Sequence, residues 1–267
     1  DTSGLEGLSQ EEIKKKHKAD ALPVWTSVKY LIKNKAWVLV FSITMLNFLR
    51  QPFTSTSMAY YFLYCFKVDE TRSAIFSSLG MLAGLVLLPF IPTIIRKFGY
   101  KRSLMGSYLL ASTFGFCAYF AGKNINMVLV FYLLSTMSGS LTGVAVLSML
   151  ADTLEYGELK FGVRLDGLGF AANSFSTKAG PAIGGLLVTM VYAIGKLDTS
   201  LVLGQDQSSS ALMALRLSMF VIPNLIALVQ VILSFMYPLS QEKMEEVNGE
   251  LANRHSDPNY IPMDVQL

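Results

Sequence analysis

The chain has 267 residues, of which 52% are hydrophobic and 15% charged, and a net charge of +3. Soluble domains carry roughly 25% charged residues, so this composition excludes an ordinary soluble protein and predicts one embedded in a membrane. Its two histidines, His17 and His255, fall in polar terminal segments and its two cysteines, Cys65 and Cys117, in apolar runs, which indicates neither a metal site nor a redox compartment.

Residues 1–21 are polar, and EEIKKKHK at 11–18 reads as a solvated or membrane-surface charge run. They show no secretory leader pattern, and a first residue of Asp rather than Met predicts a fragment or a processed product. Next, LPVWTSVKYLIKNK at 22–35 sets Leu22, Trp25, Val28, Leu31 and Ile32 on one face with lysines elsewhere. That is the pattern of a short interfacial helix.

Six apolar runs follow, near 36–66, 73–95, 103–121, 126–151, 165–194 and 211–237. Each is close to or beyond the ~20 residues a helix needs to cross ~30 Å of hydrocarbon, and none alternates like a ~10-residue barrel strand. The first run carries Arg50, Gln51 and Pro52 in mid-course. Proline removes a backbone hydrogen bond and bends a helix, and the polar pair beside it predicts that the bend borders something wet. For Arg50 two readings stand: cavity exposure or a buried ion pair on one side, a local structural role on the other. Tyr60, Tyr61, Phe62 and Tyr64 at the end of the run read as an interfacial aromatic belt, with ligand contact as the alternative.

Glycines four residues apart recur in three runs, as Gly80 with Gly84, Gly139 with Gly143 and Gly180 with Gly184. This spacing permits close helix packing. The loop IRKFGYKRS at 95–103 is basic around one turn glycine, Gly99, and the sixth run holds Pro223 and Asn224. The tail, residues 239–267, is polar and charged and is expected to be disordered. Fifteen Lys and Arg residues lie in the connections on one side of the runs, against Lys67, Arg72, Lys123 and Lys196 on the other. That imbalance predicts both termini in the cytoplasm.

The densest chemistry lies in residues 148–185. Asp152, Glu155, Glu158, Lys160, Arg164 and Asp166 separate the fourth run from the fifth, and Lys178 sits well inside the fifth. At 1.5 Å per residue Lys178 is roughly 20 Å from the start of its run. A charge that deep costs at least about 2.5 kcal/mol, so it is expected against other protein or a water-filled cavity rather than lipid. No Asp or Glu lies at matching depth in the six runs, which predicts a partner outside this chain. Helical spacing joins Asn173 to Thr177 and Ser174 to Lys178 in one polar stripe. Such a stripe suits a hydrated cavity for a polyhydroxylated or anionic solute, and also a mere interhelical hydrogen-bond seam. The cytoplasmic charges are either a solvated loop or a gate whose ion pairs form in one conformation and break in another. Nothing resembles a phosphate loop, a His/Cys metal set or a nucleophile with its base, so neither an enzyme, a cofactor nor a nucleic-acid partner is predicted.

The pattern D-x-x-E-Y-G-E-x-K-x-G-x-R-x-D-G at 152–167, followed by K-A-G-P-A-I-G-G at 178–185, closely resembles the glycoside-pentoside-hexuronide:cation symporters of the major facilitator superfamily. The resemblance implies an all-α membrane protein whose six transmembrane helices form one half of that fold. Residues 1–34 would be a cytoplasmic central-loop segment with its interfacial helix, 35–238 the six-helix bundle and 239–267 the cytoplasmic tail. The implied partners are a sugar-like solute, a co-transported Na⁺ or H⁺, membrane lipid and a missing N-terminal six-helix half. Position by position, Lys178 matches the family's lysine that faces cation-binding carboxylates of the other half, and Asn173, Ser174 and Thr177 fall where the family lines its substrate cavity. Asp152, Glu155, Glu158 and Arg164 fall on its cytoplasmic gate, and Arg102 lies in the basic loop that fits the superfamily's signature. One position departs: the family's melibiose carrier has a Trp in the sugar pocket where this chain has Gly143. A larger or differently shaped glycoside, or a hexuronide, is therefore at least as good an expectation as melibiose. A lipid or lysolipid carrier, and a non-transporting membrane half or assembly partner, stand as the alternatives.

Overall fold

The computed structural model describes residues 23–163, 165–201 and 206–256. In order these form α1 (Val24–Lys33), α2 (Lys35–Cys65), α3 (Glu70–Val86), α4 (Ile91–Phe120), α5 (Ile125–Gly139), α6 (Leu141–Phe161), α7 (Asp166–Gly195), α8 (Ser209–Arg216), α9 (Ile222–Met236) and α10 (Gln241–Ser256). No strand occurs among the described residues. Four stretches, Thr71–Phe120, Ile125–Phe161, Asp166–Gly195 and Ser209–Met236, are long and apolar enough to cross a bilayer. The first, at 50 residues, would be about 75 Å long as one straight helix. It is broken instead at Gly99, whose φ of 74° and ψ of 164° suit a residue without a Cβ. The basic turn read from the sequence is therefore a sharp corner between two helical limbs. α2 is missing from the four although it has 31 residues, because polar side chains punctuate its apolar run.

Asn34 fixes the start of α2. Its carboxamide accepts from the Trp37 backbone N–H (3.2 Å) and donates to the Thr153 carbonyl of α6 (2.8 Å), which satisfies one of the free donors at a helix N-terminus and ties two helices together. α2 then runs unbroken through Pro52. α7 lies along it: Gly180 abuts Phe48 and Leu49, Gly184 abuts Leu49 and Pro52, and the Tyr192 hydroxyl donates to Ser57 Oγ at 2.7 Å. Residue numbers rise together at these contacts, so the two helices are parallel. Of the three glycine pairs, this one makes the closest helix crossing. Gly80 also packs tightly, on Tyr132, whereas a Cβ on Gly143 would meet nothing within 4 Å.

Between α8 and α9 the chain makes a wide π-helical turn, Leu217–Val221. The turn stands ahead of Pro223, which offers no N–H and whose ring crowds the preceding turn of a regular helix. Two apolar cores form. One, at the end bearing α1 and α10, gathers Trp37, Ile43, Leu104, Tyr108, Met149 and Tyr237. The other, at the opposite end, gathers Tyr61, Phe62, Val128, Leu215 and Phe220.

Three expectations change. Tyr61 and Phe62 are 2% and 0% exposed, with the Tyr61 ring 5.1 Å from that of Phe220, so they pack the core instead of forming a surface belt. The fourth apolar run extends as α6 to Phe161, ten residues beyond the expected 151, where Gly162 closes it in a left-handed conformation. The tail expected to be disordered is helical over Gln241–Ser256. Composition hid this because its polar residues outnumber a sparse stripe of Met244, Val247 and Leu251, which helical spacing puts on one buried face. Arg254 completes the docking by donating to the carbonyls of Glu158 (3.1 Å) and Gly162 (3.4 Å) at the end of α6. Residues 257–267 and Leu22 lie outside the described residues.

Candidate functional site

A cavity of about 690 Å³ opens between α2, α3, α5 and the start of α9, a size within the roughly 300–1,000 Å³ of small-molecule sites. Each helix contributes one face. From α2 come Asn47, Arg50, Gln51, Thr54 and Ser55, from α5 and the residue that follows it Tyr132, Ser135, Thr136, Gly139 and Ser140. Both sets follow the spacing i, i+3, i+4, i+7, i+8, which a helix gathers on a single side. α3 adds Ser77 and the small Gly80 and Gly84, and Asn224 stands at the wall formed by α9. Asn224 is held there by the π-helical turn before it, donating to the Phe220 carbonyl, while its backbone carbonyl accepts from Ser112 Oγ (3.2 Å). Sequence reasoning marked Arg50 and Gln51 but did not join them to the polar positions of α5. The signal was present as the polar spacing 47, 50, 51, 54, 55 inside an apolar run.

The cavity therefore answers the question left by Arg50: its guanidinium lines the cavity and lies 5.9 Å from the centre of the Tyr108 ring. Tyr108 is fully buried behind it and its hydroxyl accepts from Gln230 Nε2 at 3.1 Å. Among the described residues no carboxylate forms an ion pair with Arg50.

Lys178 occupies a different face. Ser176, Gly180, Gly184 and Val188 are the buried side of α7, and Lys178 stands about 200° around the helix from Ser176. Its side chain is exposed, and no carboxylate among the described residues pairs with it. Ser174 is exposed and Asn173 and Thr177 are half-buried. Ser174 Oγ donates to the Phe170 carbonyl (3.1 Å) and Thr177 Oγ1 to the Ser174 carbonyl (2.7 Å), so both hydroxyls satisfy themselves within the helix. None of these four residues lines the cavity, nor does Gly143. Because Gly180 is level with Phe48, Lys178 lies about one helical turn along the bundle from Arg50. Two cations thus share nearly one depth on separate faces.

The charges between α6 and α7 are partly brought together. Glu155 and Glu158 of α6 and Asp166 of α7 line a second hollow, of about 430 Å³, closed by Asn248 and Leu251 of α10. Asp152 is half-buried on α6 beside this group, and Arg102 is exposed. Arg164 lies outside the described residues. At the basic corner, Lys101 Nζ donates to the Tyr237 carbonyl (2.8 Å) and sits over the Phe235 ring.

A bundle of apolar helices with a partly polar cavity inside it defines an all-α, multi-pass membrane protein. The chain belongs to the MFS/sugar transport protein family, whose sequence pattern matches residues 7–241. It is 27% identical over 179 residues to the glucuronide carrier protein homolog of Escherichia coli (strain K12), a match covering 66% of this chain and 38% of that protein. It is 25% identical over 259 residues to the isoprimeverose transporter of Lactiplantibacillus pentosus, covering 96% and 52%. To the raffinose carrier protein of Pediococcus pentosaceus it is 29% identical over 259 residues, covering 92% and 38%. The chain spans about half the length of these relatives or less. The symporter resemblance read from residues 152–185 holds at the level of the family, which is one of carriers rather than enzymes.

Proposed function

We propose that the chain is the C-terminal, six-crossing half of a plasma-membrane carrier that moves a sugar, glycoside or hexuronide by symport with Na⁺ or H⁺. Both termini would be cytoplasmic, as the distribution of Lys and Arg favours. The observation that carries this reading is Lys178: a cation deep in a membrane-length helix, on a face of α7 turned away from α2 and without a carboxylate partner among the described residues. In a family of sugar carriers, such a face is the one a companion half would cover. Intramembrane charges of this kind mark ion and solute pathways.

The two halves would rock about a mid-membrane site, with Lys178 acting as an internal cation. Without the coupling ion, Lys178 would pair with carboxylates of the companion half; ion entry would compete with that pairing and reorganise the solute site. Asn173, Ser174 and Thr177 would border the solute path, and the acids of α6, with Arg164 and Arg102, would serve the cytoplasmic gate. The relatives are named for a glucuronide, isoprimeverose and raffinose, which supports a polyhydroxylated solute and leaves its size open. The polar faces of α2 and α5 suit such a solute better than a lipid tail. The test is binding of glycosides and hexuronides to the complete carrier in vesicles, with and without Na⁺ and across a pH gradient. Cation-dependent binding of at least one sugar is expected; a complete carrier that binds none under any cation condition refutes the reading.

A further inference from the structure

We propose that the cavity between α2, α3, α5 and α9 selects an acidic sugar, with the Arg50 guanidinium taking the carboxylate of a hexuronide. The inference rests on the sugar-carrier reading and narrows it to a charged solute class.

Arg50 carries five N–H donors in a planar fork, and among the described residues no acceptor or carboxylate engages them. Its one neighbour of note is the Tyr108 ring, 5.9 Å away, an attraction too weak to replace a counter-charge at membrane depth. The guanidinium also lies against the bare backbone of Gly139, where an added Cβ would stand 3.8 Å from Nη2. The opposite wall therefore holds no side chain at that point, and Arg50 and Gly139 both border the cavity. None of the lining residues is acidic, so the cavity carries one uncompensated positive charge among amides and hydroxyls. A sugar hydroxyl needs no such charge, and Asn47, Gln51, Thr54, Ser135 and Thr136 already provide uncharged partners for a polyol. A carboxylate does need it: a guanidinium binds one through two parallel hydrogen bonds, each stronger than a neutral pair. The competing role for Arg50 is a structural ion pair with a carboxylate of the companion half.

The two roles separate with a matched pair of probes, p-nitrophenyl β-D-glucuronide and p-nitrophenyl β-D-glucoside, which differ only in a carboxylate against a hydroxymethyl group on C5. Competitive binding to the complete carrier in vesicles should favour the glucuronide at least tenfold. Arg50→Gln should lower that preference at least tenfold, and Arg50→Lys, which keeps the charge but loses the fork, should fall between. A wild-type carrier that binds the glucoside as well as the glucuronide overturns the proposal while leaving the sugar-carrier reading intact. So does an Arg50→Gln carrier that weakens both probes by the same factor, the result expected of a structural ion pair. If Arg50→Gln does not reach the membrane, the wild-type preference and its change in Arg50→Lys decide the matter. Failure of both probes and of every other sugar removes the underlying reading as well.

Discussion

Gly180 of α7 approaches Phe48 of α2 so closely that a Cβ added to it would stand 2.6 Å from the Phe48 Cβ and 3.1 Å from the Leu49 backbone nitrogen. Neither neighbour is the free end of a flexible side chain, so the helices themselves would have to separate. Overpacking of this kind costs about 1–3 kcal/mol. Gly180→Val should therefore lower the thermal unfolding midpoint in detergent by several degrees. Gly185→Ala, where an added Cβ meets nothing within 4 Å, should leave it unchanged or raise it. Equal midpoints for the two variants would mean that the α2–α7 crossing is not as close as described.

Lys178 gives a functional counterpart. On the proposed mechanism, Lys178→Ala removes the internal cation that competes with the coupling ion, without disturbing the buried face of α7. Cation-driven accumulation should be lost, while the variant still inserts and exchanges solute down its gradient. Accumulation at the wild-type level would remove Lys178 from the coupling step.

Gly143 faces open space and is exposed. A tryptophan there should be accommodated without a loss of stability, yet on the proposed reading it would narrow the solute path. Uptake of trisaccharides should fall more than that of disaccharides in Gly143→Trp. A uniform effect on solutes of all sizes would separate Gly143 from the solute path.

Arg254 bonds the last carbonyls of α6 from a helix that polarity alone did not foretell. Two hydrogen bonds from a charged donor to a helix C-terminus, each worth about 1.5–3 kcal/mol at most and less where solvent competes, hold α10 to the bundle. Arg254→Ala should increase amide hydrogen exchange across 241–256 by at least several-fold and leave α2 and α7 protected. Unchanged exchange would show that Met244, Val247 and Leu251 suffice to dock the helix.

At the opposite end, Lys67 Nζ meets Asp206 Oδ1 at 2.7 Å. The hydrogen bond and charge of Lys67 hold the Asp206 carboxyl below the usual carboxylate range, as the hydroxyl and N–H of Ser200 do for Asp198. A lowered folded-state value means the pair's contribution is present above the ordinary carboxylate value and is lost as pH falls through the lowered one. Both side chains are solvent-exposed, so the contribution is small. In Lys67→Ala the Asp206 titration should move up into the ordinary range, with little change in stability at neutral pH.

Local chemistry was enough to show several things from residue order alone. Membrane-length apolar runs, the turn at Gly99, the depth of Lys178 and the family's charged motif are properties of contiguous segments, and hydrophobic length and backbone freedom fix them without reference to the rest of the chain. Packing decided the remainder. Helical periodicity reveals that Asn47, Arg50 and Gln51 share a side, and that Ser135 and Thr136 share another, but not that the two sides meet around one cavity. It gathers Met244, Val247 and Leu251 into a stripe too sparse to register in composition, and only the groove beside α6 makes that stripe a docked helix. A helix has as many possible partners as it has faces, and which face is buried depends on the shapes of neighbours far away in the chain.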